Sequence, residues 1–469
     1  MAVKVIEESQ IGAQADSTPP KTCIPLTFFD VFWIIMPPVK RLFFYEFDQH
    51  SSSQHFIETV LPNIKHSLSL ALQHFYPFAG HLTTPDHHDS VPEIAYSEGD
   101  SITLIAAETD SDFQHLSGHH ARDVSEFFPL VPKLEYSQLI AVQVTLFPNS
   151  GFTVGITNSH VIADGKITTH FVKYWASICK LGAQNPVLLS ESSLPFFDRS
   201  VVNDPKGLDK LYLKQMREFE EMVKSFQVAN ALTPGHPIID KVRATFVLGR
   251  VEIEKLKQWV TSKMSSTFHV STFVIACAYV WVCWAKCKRD EDVERLFFGF
   301  SADCRGRLDP PLPKFYFGNC VRGCAVQANK RDLIGEDGMV VAAEMIGREV
   351  ERLNKHSVME GAETYISDIS SVMGSGAKGL SVAGSPTFKV YETDFGWGRP
   401  KKVEVVSIED SGAISLSESR DDESGGVEVG LVLNKIEMDC FASLFEEALK
   451  SVTETDWIHG CPNFISGTA

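Results

Sequence analysis

The chain has fewer basic than acidic side chains, with 43 Lys and Arg against 60 Asp and Glu in 469 residues and a formal charge of −17. A broad nucleic-acid surface needs clustered cations to neutralise phosphates, so this balance excludes one and leaves only local basic pockets. Long apolar runs are also missing. The first twenty residues lack a signal-peptide core, and no later run reaches the roughly 18 residues of a membrane span. The sequence predicts a cytosolic protein without nucleic-acid or membrane partners.

Metal-binding cysteine patterns are missing as well. The ten cysteines include two pairs spaced by four, Cys283/Cys287 and Cys320/Cys324. Neither pair has the CxxC spacing usual in zinc sites, and neither has an obvious His partner. Most of the ten lie in apolar segments, which is typical of buried free thiols in a reducing compartment. We expect core cysteines and no metal site.

The length suits two domains of roughly 200 residues each. The composition, 44% hydrophobic and 22% charged, is that of a globular chain, and no internal repeat stands out. Residues 183–208 mix Pro, Ser and Asn with little periodicity, which favours a crossover between domains. We predict an N-terminal domain over 1–185, a crossover linker over 186–230 and a C-terminal domain over 231–469.

Strand and helix patterns alternate in both halves, which predicts an α/β fold with mixed sheets and flanking helices; α+β is the nearest alternative. Helices are expected at 64–82, halted at Tyr76-Pro77, and at 167–182, 209–226, 251–263, 271–287, 338–353 and 437–450. Strands are expected at 41–47, as a hairpin over 141–160, and at 243–249, 296–301, 321–327, 379–383, 387–392, 403–408, 412–418 and 426–434.

A His four residues before an Asp occurs three times, at His160/Asp164, His119/Asp123 and His236/Asp240. Spacing alone therefore decides nothing. The His119 copy lies in a polar loop or helix start, and the His236 copy lies beside a proline in a turn-rich connector. Only His160 ends an apolar strand, where the two-residue alternation that starts at Phe152 places it on the apolar face. We expect the short loop that leads from there into a helix to face a cleft.

An imidazole at such a position can accept a proton from a hydroxyl near neutral pH. Gly165, directly after Asp164, allows a backbone φ that other residues resist, which suits a tight turn between strand and helix. A core histidine whose ring is satisfied by hydrogen bonds is the alternative. Zinc would need a third and usually a fourth ligand, which the neighbourhood does not offer.

A second motif lies more than 200 residues downstream, DFGWG at 394–398. Together with SHVIADG it resembles the two ordered signatures, HxxxD and DFGWG, of the plant BAHD acyltransferase family. Further landmarks follow in family order over essentially the full length: LPNIKHSLSLALQHFYPFAGHL, SADCRGRLDPPLP, YFGNC (316–320) and SVAGSP (381–386). YFGNC is similar to the branch that acylates anthocyanins and other flavonoid or phenolic glycosides. The resemblance implies two chloramphenicol-acetyltransferase-like domains with the active-site channel at their interface.

The resemblance also implies roles for individual residues. His160 would be the general base. Asp164 would pair with Arg305 and hold the loop, although capping of the following helix explains Asp164 as well. Asp394 belongs to a motif that is architectural in the family, yet it stays a candidate catalytic residue, and the indole N–H of Trp397 is a candidate oxyanion donor.

Acyl-coenzyme A would be a co-substrate, with no cofactor bound permanently. Its phosphates need donors and positive charge, which the start of the 271–287 helix and a lysine on the preceding helix supply. The implied coenzyme A contacts are Lys257, His269, Val270, Ser271 and Thr272, with Ser381, Gly384 and Ser385 along the pantetheine arm. A plainly capped helix is the alternative explanation of Ser271. The resemblance implies small-molecule substrates and a monomer.

Two departures from the family pattern bear on the substrate. Ser159 stands where some relatives have a first His, so only His160 is available as base. Where some malonyltransferases have an Arg soon after the motif Asp, this chain has Lys166. The expected activity is transfer of a malonyl or hydroxycinnamoyl group to a sugar hydroxyl of an anthocyanin, flavonoid or other phenolic glucoside. Thioester hydrolysis, or ligand binding on an inactive scaffold, are the alternatives.

Overall fold

The computed structural model describes residues 3–47, 53–84, 90–135, 137–182, 184–185, 190–231, 240–264, 268–288, 294–374, 378–422 and 424–454. Within these ranges the strands are β1 (Val3–Gly12), β2 (Lys21–Pro25), β3 (Val39–Glu46), β4 (His81–Thr83), β5 (Glu93–Ser97), β6 (Ser101–Thr109), β7 (Arg122–Asp123), β8 (Ile140–Phe147), β9 (Gly151–Asn158), β10 (Lys241–Leu248), β11 (Arg295–Asp303), β12 (Val321–Asn329), β13 (Lys378–Ala383), β14 (Lys402–Val405), β15 (Ala413–Glu418) and β16 (Val427–Asn434).

The helices vary from single turns to six or seven turns. They are α1 (Phe28–Val31), α2 (Ser53–His55), α3 (Leu61–His74), α4 (Phe113–Leu116), α5 (Gly165–Leu181), α6 (Leu208–Ala231), α7 (Arg250–Lys263), α8 (Thr272–Cys287), α9 (Lys330–Ile334), α10 (Gly338–Lys355), α11 (Tyr365–Gly374), α12 (Ile408–Ser411) and α13 (Lys435–Glu454). A π-helical segment, Phe56–Val60, joins α2 to α3.

The first half is built on a six-stranded mixed sheet in the order β1-β6-β8-β9-β3-β14. Its pairs are antiparallel except β6 with β8. Every residue of β8 and β9 is buried, as expected for central strands covered on both faces. The helices α3 and α5 pack together over one face, where Trp175 donates its indole N–H to the carbonyl of Ile64 at 3.2 Å.

The second half is built on a seven-stranded mixed sheet in the order β12-β11-β13-β15-β16-β10-β7. The strands β11, β13 and β15 run parallel, and the remaining pairs are antiparallel. The helix α8 is buried over most of its surface and packs against α7, α10 and α13. This arrangement explains why its sequence is apolar on nearly every face.

Each sheet includes one strand from the other half of the chain. The edge strand β14 pairs with β3, and the short strand β7 pairs with β10. The single-turn helix α1 does the same for packing, because Phe28, Phe29 and Val31 lie in the hydrophobic core of the second half. The two halves are therefore joined by shared sheets as well as by the crossover.

The expected α/β fold with two mixed sheets and flanking helices is confirmed, as are the 141–160 hairpin and the helix capped by Ser271. The strand expected at 387–392 is wrong. That segment forms two short 3₁₀ turns, Pro386–Phe388 and Val390–Glu392, because the side chain of Ser385 caps the first turn and Lys389 between them adopts φ 53°. The predicted domain bounds stay a prediction, and His236 lies outside the described residues.

Candidate active site

His160 lies in a loop between β9 and α5. The strand ends at Asn158, so His160 is not part of the strand face that its alternation suggested. The turn is anchored by the backbone N–H of Ser159, which donates to the carbonyl of Leu139 at 2.8 Å. Asp164 caps α5 by accepting from the backbone N–H of Ile167 at 3.1 Å. The capping role predicted as the alternative for Asp164 is thus present.

Gly165 serves a purpose other than the predicted one. It is the first residue of α5 and is not among the glycines with positive φ. A Cβ at this position would lie 2.9 Å from the ring of Phe388, which is closer than side chains approach one another. Gly165 therefore allows the turn at 386–388 to pack closely against the His160 loop.

Asn319 fixes the tautomer of His160. The amide Nδ2 of Asn319 donates to Asp30 Oδ1 at 3.0 Å and to the carbonyl of His160 at 2.9 Å, so its Oδ1 is left as an acceptor. That oxygen lies 3.1 Å from Nδ1 of His160 and accepts from it. With the proton on Nδ1, the Nε2 atom carries the free lone pair. His160 is thus prepared to take a proton at Nε2.

The ring of His160 is stacked on Trp33, with centroids 3.6 Å apart and planes 12° from parallel. Burial lowers the pKa of His160, while the charge of Asp164 and the hydrogen bond to Asn319 oppose this shift in part. The imidazole is therefore neutral at physiological pH. His160 as a whole is only half-buried, so part of the residue stays accessible from outside. A neutral, partly accessible imidazole is the form that general-base catalysis requires.

Asp30 fixes the position of Asn319 through hydrogen bonds. Its carboxylate is fully buried and accepts from the backbone N–H and side chain of Asn319 and from the backbone and hydroxyl of Thr27, all at 2.9–3.0 Å. Arg199 lies 3.6 Å away and donates to the hydroxyl of Tyr316 at 2.6 Å. A buried carboxylate with this many donors is well satisfied, so Asp30 fixes the amide plane on which His160 depends.

Asp164 and Arg305 form the predicted buried ion pair, 2.7 Å apart and both 2% exposed. Arg305 also donates to the carbonyls of Tyr316 and Gly318, and Asp164 accepts from the backbone N–H of Cys320 at 3.1 Å. Burial opposes the charge of Arg305, but Asp164 and Asp303 raise its pKa. The pair joins the loop of the first half to the segment 316–320 of the second, and this places His160 opposite Asn319.

Lys166 is already occupied in the structure. Its Nζ lies 2.7 Å from Oδ2 of Asp303, and the other oxygen of Asp303 is 3.1 Å from Arg305. Although burial raises the pKa of Asp303, these two cations hold it below its ordinary value. Lys166 therefore strengthens the junction between the halves, and a substrate carboxylate would have to compete with Asp303 for it.

Asp394 and Trp397 lie at the opposite end of β9 from His160. Asp394 accepts from the backbone N–H groups of Gly396 and Gly398 at 2.8 and 2.9 Å and pairs with Lys180 at 2.5 Å. Trp397 packs edge-to-face on Phe152, at a centroid distance of 5.1 Å. Phe152 and Asn158 are six strand residues apart, about 20 Å at 3.3 Å per residue. This separation argues against contact of either side chain with the reacting atoms and favours a loop-forming role.

The groups predicted to bind coenzyme A do meet at the start of α8. Lys257 on α7 donates to the hydroxyl of Thr272 at 3.1 Å and to Glu254 at 2.9 Å. Ser271 caps α8 through the backbone N–H of Val274 at 3.2 Å, His269 is exposed, and Val270 is buried. A lysine beside a helix N-terminus is a favourable environment for a phosphate.

The segment 381–388 runs from this area toward the His160 loop. Ser381 pairs with Gly299 on β11, and the next residue of β11, Phe300, contacts Phe273 in the first turn of α8 at 5.5 Å. Gly384 has φ 89°, and a Cβ there would lie 2.9 Å from the carbonyl of Leu416. Ser385 caps the turn whose Phe388 packs on Gly165. The segment that holds Ser381, Gly384 and Ser385 thus connects the surroundings of α8 to the His160 loop.

No group of three or more His, Cys, Asp or Glu side chains arranged to hold a metal ion occurs among the described residues. Within the same part of the chain, no helix combines the length and the apolar character needed to cross a bilayer.

Comparison with known proteins decides the family. A family model described as the transferase family matches residues 1–448. The chain belongs to the BAHD acyltransferase family. It is 41% identical over 437 residues to phenolic glucoside malonyltransferase 2 of Arabidopsis thaliana, covering 91% of this chain and 94% of the relative.

Two other relatives of this BAHD acyltransferase are named for different acyl donors. The malonyl-coenzyme A:anthocyanin 3-O-glucoside-6''-O-malonyltransferase of Dahlia pinnata is 39% identical, with 95% of this chain and 97% of the relative covered. The coumaroyl-CoA:anthocyanidin 3-O-glucoside-6''-O-coumaroyltransferase 1 of Arabidopsis thaliana is 35% identical, with the same coverage. Vinorine synthase, a solved structure, has the same fold at a TM-score of 0.68 and 18% identity, over 94% of this chain and 96% of that one.

Sequence reasoning about this BAHD acyltransferase missed three residues of the site: Trp33, Asp30 and Asn319. Asn319 lies inside the motif YFGNC, but nothing in the spacing of that motif points to His160, 159 residues earlier. Asp30 and Trp33 lie in the segment TFFDVFW, whose polar residue among aromatics was a usable signal. A lone Asp in an apolar run must be paired when it is buried.

Proposed function

We propose that this protein transfers a malonyl or hydroxycinnamoyl group from acyl-coenzyme A to a sugar hydroxyl of an anthocyanin, flavonoid or other phenolic glucoside. The observation that carries the proposal is His160, held by Asn319 with Nε2 free at the junction of the two halves. Relatives named as malonyltransferases and as a coumaroyltransferase match over nine-tenths of the chain. Both support an O-acyltransferase that uses acyl-coenzyme A as co-substrate.

The proposed reaction needs one base and no covalent acyl-enzyme. Nε2 of His160 removes the proton of the acceptor hydroxyl while the oxygen attacks the thioester carbonyl. The tetrahedral intermediate collapses with cleavage of the carbon–sulfur bond, and the imidazolium returns the proton to the departing coenzyme A sulfur. The hydrogen bond from Nδ1 to Asn319 strengthens while the ring is charged. This sequence balances protons with His160 as the only group needed beyond the two substrates.

Asp164 and Arg305 are proposed to act as positioning residues. Their ion pair lies behind the loop, where Asp164 caps α5 and Arg305 holds the carbonyls of 316 and 318. Neither side chain contacts the ring of His160 in the structure. They contribute by keeping His160 and Asn319 in one geometry, and small displacements of a base cost large factors in rate.

Acyl-coenzyme A is proposed to lie along Lys257, Ser271 and Thr272 and to reach His160 past Ser381, Gly384 and Ser385. The exposed His269 and the positive end of α8 suit its phosphates. The phenolic glucoside would enter from the other side of His160, where Trp33 lies. Opposite entry allows both substrates to be bound at once, as a direct transfer requires.

Three further properties are proposed: the oligomeric state, the domain bounds and the cellular location. A monomer and the domain bounds 1–185, 186–230 and 231–469 follow from the family resemblance and the sequence pattern. A cytoplasmic location is supported by the nine described cysteines, all of them free and seven of them buried.

The test is product analysis with purified protein. Malonyl- and p-coumaroyl-coenzyme A are each offered with an anthocyanin glucoside, and the products are identified by mass. Wild type should form the acylated glucoside, and His160→Ala should form none while keeping its far-UV circular dichroism and melting temperature. Free acid without ester would indicate a hydrolase, and tight binding of both ligands without turnover would indicate an inactive scaffold. Wild-type rates in His160→Ala would show that the base is wrongly assigned.

A further inference from the structure

A shallow aromatic pocket, partly open to solvent, lies beside the active-site loop. Its wall includes six aromatic side chains, drawn from both halves of the chain and from the crossover helix α6: Phe28, Phe29, Phe32, Trp33, Tyr212 and Tyr365. Flat aromatic ligands pack well against such walls, through offset or edge-to-face contacts.

A continuous series of ring contacts connects this pocket to His160. Trp33 stacks on His160 at 3.6 Å and contacts Phe32 at 5.1 Å. Phe32 contacts Tyr365 at 6.2 Å, and Tyr365 contacts Tyr212 at 6.1 Å. His160 is outside the pocket lining itself, so a ligand in the pocket would reach the base past the edge of Trp33.

Arg322 is the cation in the wall of this pocket. It is half-buried, and its Nη1 donates to the backbone carbonyl of Val358. Among the described residues, no carboxylate lies within ion-pair distance of it. By contrast, Arg199 and Arg305, which lie behind the same loop, each have a carboxylate within 4 Å.

A shortage of acidic residues does not explain why Arg322 has no carboxylate partner among the described residues, because acidic side chains outnumber basic ones by 60 to 43. A guanidinium presents five N–H donors in a planar fork that matches a carboxylate. Removing a cation from bulk water without a counter-charge is unfavourable, and a bound anion relieves that cost. A carboxylate from outside the chain would supply the counter-charge that Arg322 lacks among the described residues.

We propose that Arg322 binds a substrate carboxylate and sets the preference of the enzyme for anionic substrates. The position suits this role, because Arg322 follows Asn319 by three residues, about 10 Å of extended chain from the residue that holds His160. The inference rests on the proposed acyl transfer and goes beyond it. The carboxylate has two sources in that reaction: an acidic group on the aromatic acceptor or the free end of a malonyl donor.

The test compares Arg322→Gln with wild type for four substrate combinations. Malonyl- and p-coumaroyl-coenzyme A are each paired with phenyl glucoside and with 4-carboxyphenyl glucoside. Arg322→Gln should raise KM about ten-fold or more for whichever substrate carries the recognised carboxylate, since charge-assisted bonds are the strong ones. An effect confined to the carboxylated acceptor, with either donor, assigns the acceptor; an effect confined to malonyl-coenzyme A assigns the donor. Arg322→Lys should restore part of the preference.

Arg307→Gln is the matched control, because Arg307 also donates to a backbone carbonyl, that of Asp303, but is exposed outside the pocket. The measured quantity is the ratio of kcat/KM for the carboxylated and neutral partners within one preparation. This ratio does not depend on the folded fraction, so partial unfolding of a variant cannot hide the effect. A ratio unchanged from wild type in Arg322→Gln overturns the inference. Absence of ester from wild type with every combination would instead count against the proposed function.

Discussion

Replacing Asn319 by alanine tests the idea that one buried amide keeps the base in its working tautomer. The change removes the acceptor 3.1 Å from Nδ1 of His160. A hydrogen bond between neutral groups contributes about 0.5–1.5 kcal/mol, and one to a charged group about 1.5–3 kcal/mol. The bond therefore favours the imidazolium of the transition state over the neutral ring by about 1–1.5 kcal/mol, which corresponds to roughly a ten-fold loss of kcat in the variant.

The pH profile gives a second readout with a definite sign. The hydrogen bond that His160 donates to Asn319 opposes the lowering of the His160 pKa by burial. Without it, the pKa falls further and the neutral base persists to lower pH. The acid limb of the kcat/KM profile should move to lower pH in Asn319→Ala, while the plateau drops. A structural defect alone would lower the plateau without moving the limb.

Gln143→Ala provides the control for buried-amide loss. Gln143 is buried in β8 and donates to the carbonyl of Pro129 at 2.7 Å, away from His160. Both variants should be less stable to urea by about 1–3 kcal/mol for each group left unsatisfied. Only Asn319→Ala should lose kcat and shift its acid limb. Wild-type kcat in a folded Asn319→Ala, or a limb that moves to higher pH, would refute the reasoning.

Three further predictions concern the surrounding structure. Arg305→Gln leaves Asp164 buried without its charge partner, so urea unfolding should show a loss of about 3–5 kcal/mol together with low activity; an unchanged midpoint would contradict the pairing. Asp394→Asn keeps an oxygen for Gly396 and Gly398 and loses only a partly exposed ion pair, so kcat should stay within a few-fold and stability should fall by at most about 1 kcal/mol; a hundred-fold loss of kcat without a lower melting temperature would make Asp394 catalytic. Burial lowers the pKa of His170 to about 4, so the unfolded chain takes up a proton below pH 6.5 that the folded chain excludes until about pH 4. The free energy of unfolding should therefore fall between pH 6.5 and pH 4, and it should fall less in His170→Phe than in wild type. Urea titrations at pH 7 and pH 5 measure this fall in both proteins, and an equal fall in the two would exclude His170 as its cause.

The regular elements were predictable because their signals are local. The hairpin at 140–158 follows from two β-rich runs around PNSG, and α8 follows from a serine cap before an apolar run. The turns at 386–392 were mispredicted as a strand, because Ser385 capping and the left-handed Lys389 override the apolar alternation. Strand exchange through β7 and β14 was not predictable, since the two-residue pairing of β7 leaves no periodic pattern and the four residues of β14 do not indicate which sheet they join.

The residues of the candidate site likewise include some that the sequence could predict and others that it could not. His160, Asp164 and Arg305 could be assigned by resemblance, and their ion pair is present at 2.7 Å. Asn319 and Trp33 contact His160 only through the tertiary fold, from sites more than 100 residues away along the chain. The role of Gly165 was misjudged because close approach of Phe388 is a long-range fact, whereas φ preference is a local one.

The exchange of β7 and β14 between the sheets has a practical consequence for engineering. Each half expressed alone would present an unpaired strand edge and lack one of its own strands, so neither half should be obtainable as a well-behaved fragment. Chimeras that join the front of one relative to the back of another must transfer residues 122–123 and 402–405 with the sheets they complete. The same linkage opposes hinge-like separation of the two halves, because separating them would break the β3–β14 and β7–β10 hydrogen bonds.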